Sequence, residues 1–84
     1  MSPNAFRELD TVVLNRDLPE HGLQRGDLGA IVRAHGSDAF EVEFVRAAGG
    51  TQALVTLTAA DLRAVGDEDL IAVRPAKPGT RGAA

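Results

Sequence analysis

Phe40-Glu-Val-Glu-Phe-Val45 decides the fold class. Through Phe44 every second residue is apolar, so an extended backbone sends Phe40, Val42 and Phe44 to one face and Glu41 and Glu43 to the other. Upstream, His35-Gly-Ser-Asp-Ala39 supplies a compact turn. Before it, Asp27-Leu-Gly-Ala-Ile-Val-Arg-Ala34 reads as a second strand, whose Gly29 marks a place where it curls by a bulge, a bend or the close approach of another backbone. Downstream, Ala48-Gly49-Gly50 is a hairpin turn leading into Thr51-Gln-Ala-Leu-Val-Thr-Leu57. Thr58-Ala-Ala-Asp61 has the form of a capping box with Asp in place of Glu or Gln, and suits one 3₁₀ turn. Farther out, Asp10-Thr-Val-Val-Leu14 is a first strand, followed by a connection over residues 15–25 that Pro19 and Gly22 keep from forming a stable helix. Leu62-Arg-Ala-Val65 and Leu70-Ile-Ala-Val-Arg74 flank the acidic turn Gly66-Asp-Glu-Asp69, and either is a candidate to close a barrel.

This order predicts an all-β fold, a small SH3-like barrel of five or six strands with one short 3₁₀ turn. Closing the sheet hides edges that would otherwise pair with other chains. The expected core is Val13, Leu28, Ile31, Phe40, Val42, Phe44, Val55 and Leu57. With 84 residues, 44% of them hydrophobic, the chain has material for one core. Residues 8–74 are expected to form it, with residues 1–7 a flexible N-terminus and residues 75–84 (PAKPGTRGAA) a disordered tail.

Without cysteine there is neither a disulfide framework nor a thiolate site. No stretch reaches the length of uncharged apolar sequence that spans a bilayer, and the N-terminus lacks a secretory pattern, so a cytoplasmic location is the expectation. All twelve carboxylates fall within residues 8–74 against six arginines, leaving that body at −6. Such a body repels phosphate backbones and disfavours nucleic acid.

The long connection holds the residues most suited to contact a partner. Asp17, Leu18, Pro19, Glu20, His21 and Leu23 combine apolar side chains with polar ones, fit either to cover the open end of a barrel or to dock another protein. Asp17, Glu20 and His21 also include carboxylate and imidazole groups capable of metal or acid–base chemistry, but solvated loop residues are the plainer reading, and no metal or cofactor is expected. His35, Ser37 and Asp38 share one tight turn, which cannot hold a nucleophile, its base and an orienting group in line. Glu41 and Glu43 read as the wet side of a half-buried strand, and as an acidic rim for a basic partner. No catalytic set converges, so the chain is not expected to be an enzyme.

The stretch over residues 9–32, including Arg16-Asp-Leu-Pro-Glu-His-Gly-Leu23 and Gly26-Asp-Leu-Gly29, together with Phe40-Glu-Val-Glu-Phe44 and Ala53-Leu-Val-Thr-Leu57, resembles the family of small bacterial proteins called domain of unknown function 4926. The resemblance covers residues 8–65. It implies an SH3-like barrel, sometimes encoded beside other small proteins in arrangements like toxin and immunity pairs, and it implies no catalytic residues. Gly26-Asp-Leu-Gly-Ala-Ile31 by itself resembles the strand start of ribosomal and transcription-factor KOW modules and of the nitrile hydratase β-subunit barrel.

The leading expectation is therefore a non-enzymatic protein-binding module, an accessory or immunity-like partner of another protein, including the product of an adjacent gene. The alternative is a KOW-like nucleic-acid or ribosome-associated module. An exposed last strand would also allow a weak homodimer.

Overall fold

The computed structural model describes residues 6–76. Five antiparallel strands form one sheet: β1 (Thr11–Leu14), β2 (Leu28–His35), β3 (Ala39–Val45), β4 (Thr51–Thr58) and β5 (Leu62–Ala64), in the order β4-β3-β2-β1-β5. The fold is all-β, as the alternation predicts. The expectations for residues 1–5 and 77–84 lie outside the described residues.

No ladder joins β4 to β5 among the described residues, so a closed hydrogen-bonded barrel is not formed. The sheet is nevertheless curled. Its two outermost strands, four interstrand gaps or about 19 Å apart in a flat sheet, are connected only by the 3₁₀ turn Ala59–Asp61, which rises about 2 Å per residue. Such a short link requires the two edges to approach each other at this corner. The Thr58 backbone N–H donates to the Asp61 carboxylate (2.9 Å) and the Thr58 hydroxyl donates to the same oxygen (3.1 Å), completing the predicted capping arrangement.

Curling places the core inside. Val12 and Leu14 of β1, Ile31 of β2, Phe40, Val42 and Phe44 of β3 and Leu57 of β4 are buried together with Ala59 and Leu62. Phe6 packs edge-on against Phe40 with ring centroids 5.8 Å apart, which extends the packed body two residues N-terminal of the expected 8–74. Two expected core residues lie outside the main cluster, although Val13 is buried as expected. In register, Val12 faces Gly29 and Val13 faces Leu28, so Val13 and Leu28 point to the opposite face, where Val13 is covered and Leu28 half-buried. Runs of consecutive apolar residues do not reveal which alternate set faces inward. Val55 is half-buried at the margin of the core.

Gly29 has a different purpose from the one expected. A Cβ there would lie 2.7 Å from Val42 Cγ1 and 2.8 Å from Phe44 Cε2, so it is side chains on β3, not another backbone, that require a bare position. The curl of β2 occurs farther on, at a register shift between Ile31 and Arg33. The predicted hairpin turn is present: Arg46 N–H donates to the Gly50 carbonyl (2.8 Å), and Gly49 takes a φ of 102°, which favours glycine. A second 3₁₀ turn, Pro19–His21, lies within the long connection. Residues 70–74 form no strand, and Arg74 is bonded to Asp27 beside β2 instead of continuing a ladder with β5.

Candidate functional site

The long connection is built around a small bridge. Leu18 and Leu23 exchange backbone hydrogen bonds of 3.0 and 3.1 Å, with Gly22 left-handed at the end of the 3₁₀ turn, and this folds both leucines inward to 2% and 4% exposure. Both belong to the core cluster. Asp17 accepts from the Arg25 N–H (2.8 Å), bracing the two ends of the loop. Asp17 and Pro19 are exposed, and Glu20 and His21 half-exposed. At the start of β4 the register skips Gln52, and this bulged residue donates its amide to the His21 carbonyl (3.1 Å), tying the loop to the sheet.

Glu41 and Glu43 are half-exposed on the outer face of β3, as predicted. Glu41 pairs with His35 Nε2 at 2.7 Å, and Glu43 accepts from the Thr51 hydroxyl at 2.6 Å. No hydrogen bond or ion pair among the described residues joins either glutamate to residues 17–23. The loop and the rim are separate features. Among the described residues, no group of three or more His, Cys, Asp or Glu is placed to hold a metal ion, and no helix is long and apolar enough to cross a membrane.

Beyond the glutamates lies β4, which sequence patterning did not single out. It is an outermost strand of eight residues, Thr-Gln-Ala-Leu-Val-Thr-Leu-Thr, with no charged residue and no proline. Edge strands are ordinarily guarded by charge, proline or brevity, because their unpaired N–H and C=O groups template another strand. β4 has none of these guards over most of its length, and Leu54, opposite Glu43 on the outer face, is 57% exposed. The absence of charge was visible in the sequence, but its position at an edge was not.

The segment after β5 crosses the outer face. Arg63 grips Asp69 with two hydrogen bonds (2.9 and 3.1 Å), and the Gly66 N–H donates to the same carboxylate (2.6 Å). The Arg63 hydrogen bonds and the Gly66 N–H hold the Asp69 carboxyl down at about 2. Farther along, Arg74 grips Asp27 through Nε (2.9 Å) and Nη2 (2.5 Å), and reaches the Gly22 carbonyl at 3.2 Å. Burial pushes the Asp27 carboxyl up, but hydrogen bonds from Arg74 and the Gln24 N–H together with the Arg74 charge outweigh it and hold it below its ordinary value. Between this segment, the start of β2 and the end of β3 runs an open groove of about 750 Å³ lined by Leu28, Phe44 and Val45 together with Arg46 and Arg74. Asp27 and Arg74 are 47 residues apart, so nothing in the linear sequence marks their pairing.

A family model described as Domain of unknown function (DUF4926) matches residues 8–64. No curated protein and no solved structure matches the chain. The match ends at β5, so the clamped segment lies beyond it.

Proposed function

Since the chain belongs to the DUF4926 family, whose description carries no activity, we propose from its geometry that it is a non-enzymatic protein-binding module whose partner adds an extended segment to the β4 edge. The observation that carries this reading is the uncharged eight-residue outermost strand. Main-chain pairing along such an edge supplies affinity, while alternate side-chain positions supply specificity. Glu41 and Glu43 stand on the adjacent strand and favour an incoming segment with Lys or Arg, because complementary charge speeds encounter and fixes register.

The curled five-strand order, with its outermost strands linked through one 3₁₀ turn, supports the finer description of an SH3-like barrel, in which packing of the core stands in for the missing β4–β5 ladder. A cytoplasmic immunity-like or accessory role fits the same geometry. The loop over residues 17–23 contributes a cover for the core through Leu18 and Leu23 and exposes only Asp17, Pro19, Glu20 and His21 to a partner.

The test is co-purification with the product of the adjacent gene, comparing the wild type with Leu54→Lys, Thr56→Lys and Glu20→Arg. All three side chains lie at exposed or half-exposed positions, and far-ultraviolet circular dichroism establishes that each variant folds. The expected result is loss of the complex with the two β4 variants and retention with Glu20→Arg. Retention with all three rejects the β4 edge. A complex that forms with RNA instead, and weakens steeply with salt, rejects the protein-binding reading altogether.

A further inference from the structure

The groove of about 750 Å³ between the start of β2, the end of β3 and the segment from Ala72 to Ala76 is not used by the β4 reading. Its volume lies in the range of small-molecule sites, which join a mainly apolar lining to a few polar groups that fix orientation. Leu23, Leu28, Phe44, Val45 and Val73 supply apolar lining, and of these Val45 and Val73 are 61% and 93% exposed. The wall formed by the last segment is held in place by Arg74, which bonds both Asp27 carboxylate oxygens and the Gly22 carbonyl. The groove therefore has its shape before anything enters it, which lowers the ordering cost of binding.

Three charged side chains line it: Asp27, Arg46 and Arg74. Asp27 and Arg74 satisfy each other, which leaves Arg46. No carboxylate pairs with Arg46 among the described residues; its Nε donates to the Gln52 side-chain oxygen at 2.8 Å. That bond orients the guanidinium plane and uses neither Nη, so both terminal nitrogens are free to grip a carboxylate as a fork. Residues 8–74 are strongly acidic as a whole, yet the groove, once its internal pair is set aside, keeps one positive charge.

We propose that the groove binds a free aliphatic monocarboxylate of medium chain length, its head on Arg46 and its chain along Leu28, Val45 and Val73. One unpaired cation matches one negative charge, whereas the second charge of a phosphate dianion would find no partner in an acidic body. Aliphatic character follows from the lining: its one aromatic ring, Phe44, is 2% exposed, so no ring face is offered for stacking. The site is additional to partner binding at β4 and involves neither Leu54 nor Thr56, so either reading can fail alone.

The test titrates sodium octanoate, octanol and octylammonium, each below its aggregation concentration, into the full chain and into Arg46→Gln, Val73→Asp and Leu54→Lys. All three positions are exposed, and far-ultraviolet circular dichroism establishes that each variant folds. Binding is read from methyl and amide NMR shifts. The expected result is saturable octanoate shifts at Leu28, Val45, Val73 and the Arg46 Nε–H, with affinity unchanged in Leu54→Lys, reduced in Val73→Asp and reduced about tenfold or more in Arg46→Gln. Shortening the probe to hexanoate should weaken binding by up to about fourfold per methylene removed. The proposal is overturned if octanoate gives no saturable shifts, if octanol, octylammonium or acetate binds as tightly, or if Arg46→Gln binds octanoate as the wild type does. Shifts centred on β4 overturn it too, by putting the ligand on another surface.

Discussion

Replacing Gly29 by alanine tests the reason for the bare position in β2. The added methyl would sit 2.7 Å from Val42 Cγ1, 2.8 Å from Phe44 Cε2 and 3.0 Å from Phe44 Cδ2. Val42 and Phe44 are both buried, with neighbours behind them, so neither can retreat without disturbing the core. Overpacking of this kind costs about 1–3 kcal/mol. Against it, replacing glycine removes conformational freedom from the unfolded chain, a gain of about 0.4–1 kcal/mol. The net expectation is destabilisation by about 1–2 kcal/mol, which for a domain of this size lowers Tm by roughly 4–16 °C. With no Trp or Tyr in the chain, unfolding is followed by far-ultraviolet circular dichroism in urea, where the midpoint should fall with the slope unchanged. Adding Phe44→Leu should recover part of the loss, giving a non-additive double-mutant cycle. A Gly29→Ala protein as stable as the wild type, or a strictly additive cycle, refutes the steric account.

Three other outcomes follow from the same geometry. Leu18→Ala and Leu23→Ala should each cost about 2–5 kcal/mol, as core truncations do, while Pro19→Ala between them should change stability by no more than about 0.5 kcal/mol. Thermal melts that rank all three alike would show that the loop is not a core cover. Asp61→Ala removes the acceptor for Thr58 and for Arg16 Nε (2.7 Å) and should lower stability by about 0.5–2 kcal/mol in the same melts. Asp69 titrates at about 2 in the folded chain against an ordinary 3.8, so its contribution is complete above the ordinary value and disappears as pH falls from about 4 through about 2. Its carboxyl carbon shift, followed by NMR with the Gly66 amide, should turn over at the low end of that window. Inflection near 3.8 would mean that the Arg63 clamp does not form in solution.

Local pattern carried far into this fold. Alternation in β3, the glycine turn before β4 and the Thr58–Asp61 box are short-range features, each set by a few neighbouring residues, and each is present where the sequence places it. The exposed residues of the long connection and the two outward glutamates were legible for the same reason. Leu18 and Leu23 read more readily as a cover than as a docking surface, and the bridge between them turns both inward.

What the sequence determined by itself is the all-β class, the strand spacing and the acidic balance of the body, because side-chain alternation, turn chemistry and charge are properties of adjacent residues. Tertiary structure alone decided which face of β1 joins the main core, that an uncharged strand lies at an edge, and that Arg74 reaches Asp27. These depend on which distant segments become neighbours once the sheet curls around its core, and that pairing is settled by packing rather than by any short stretch of chain.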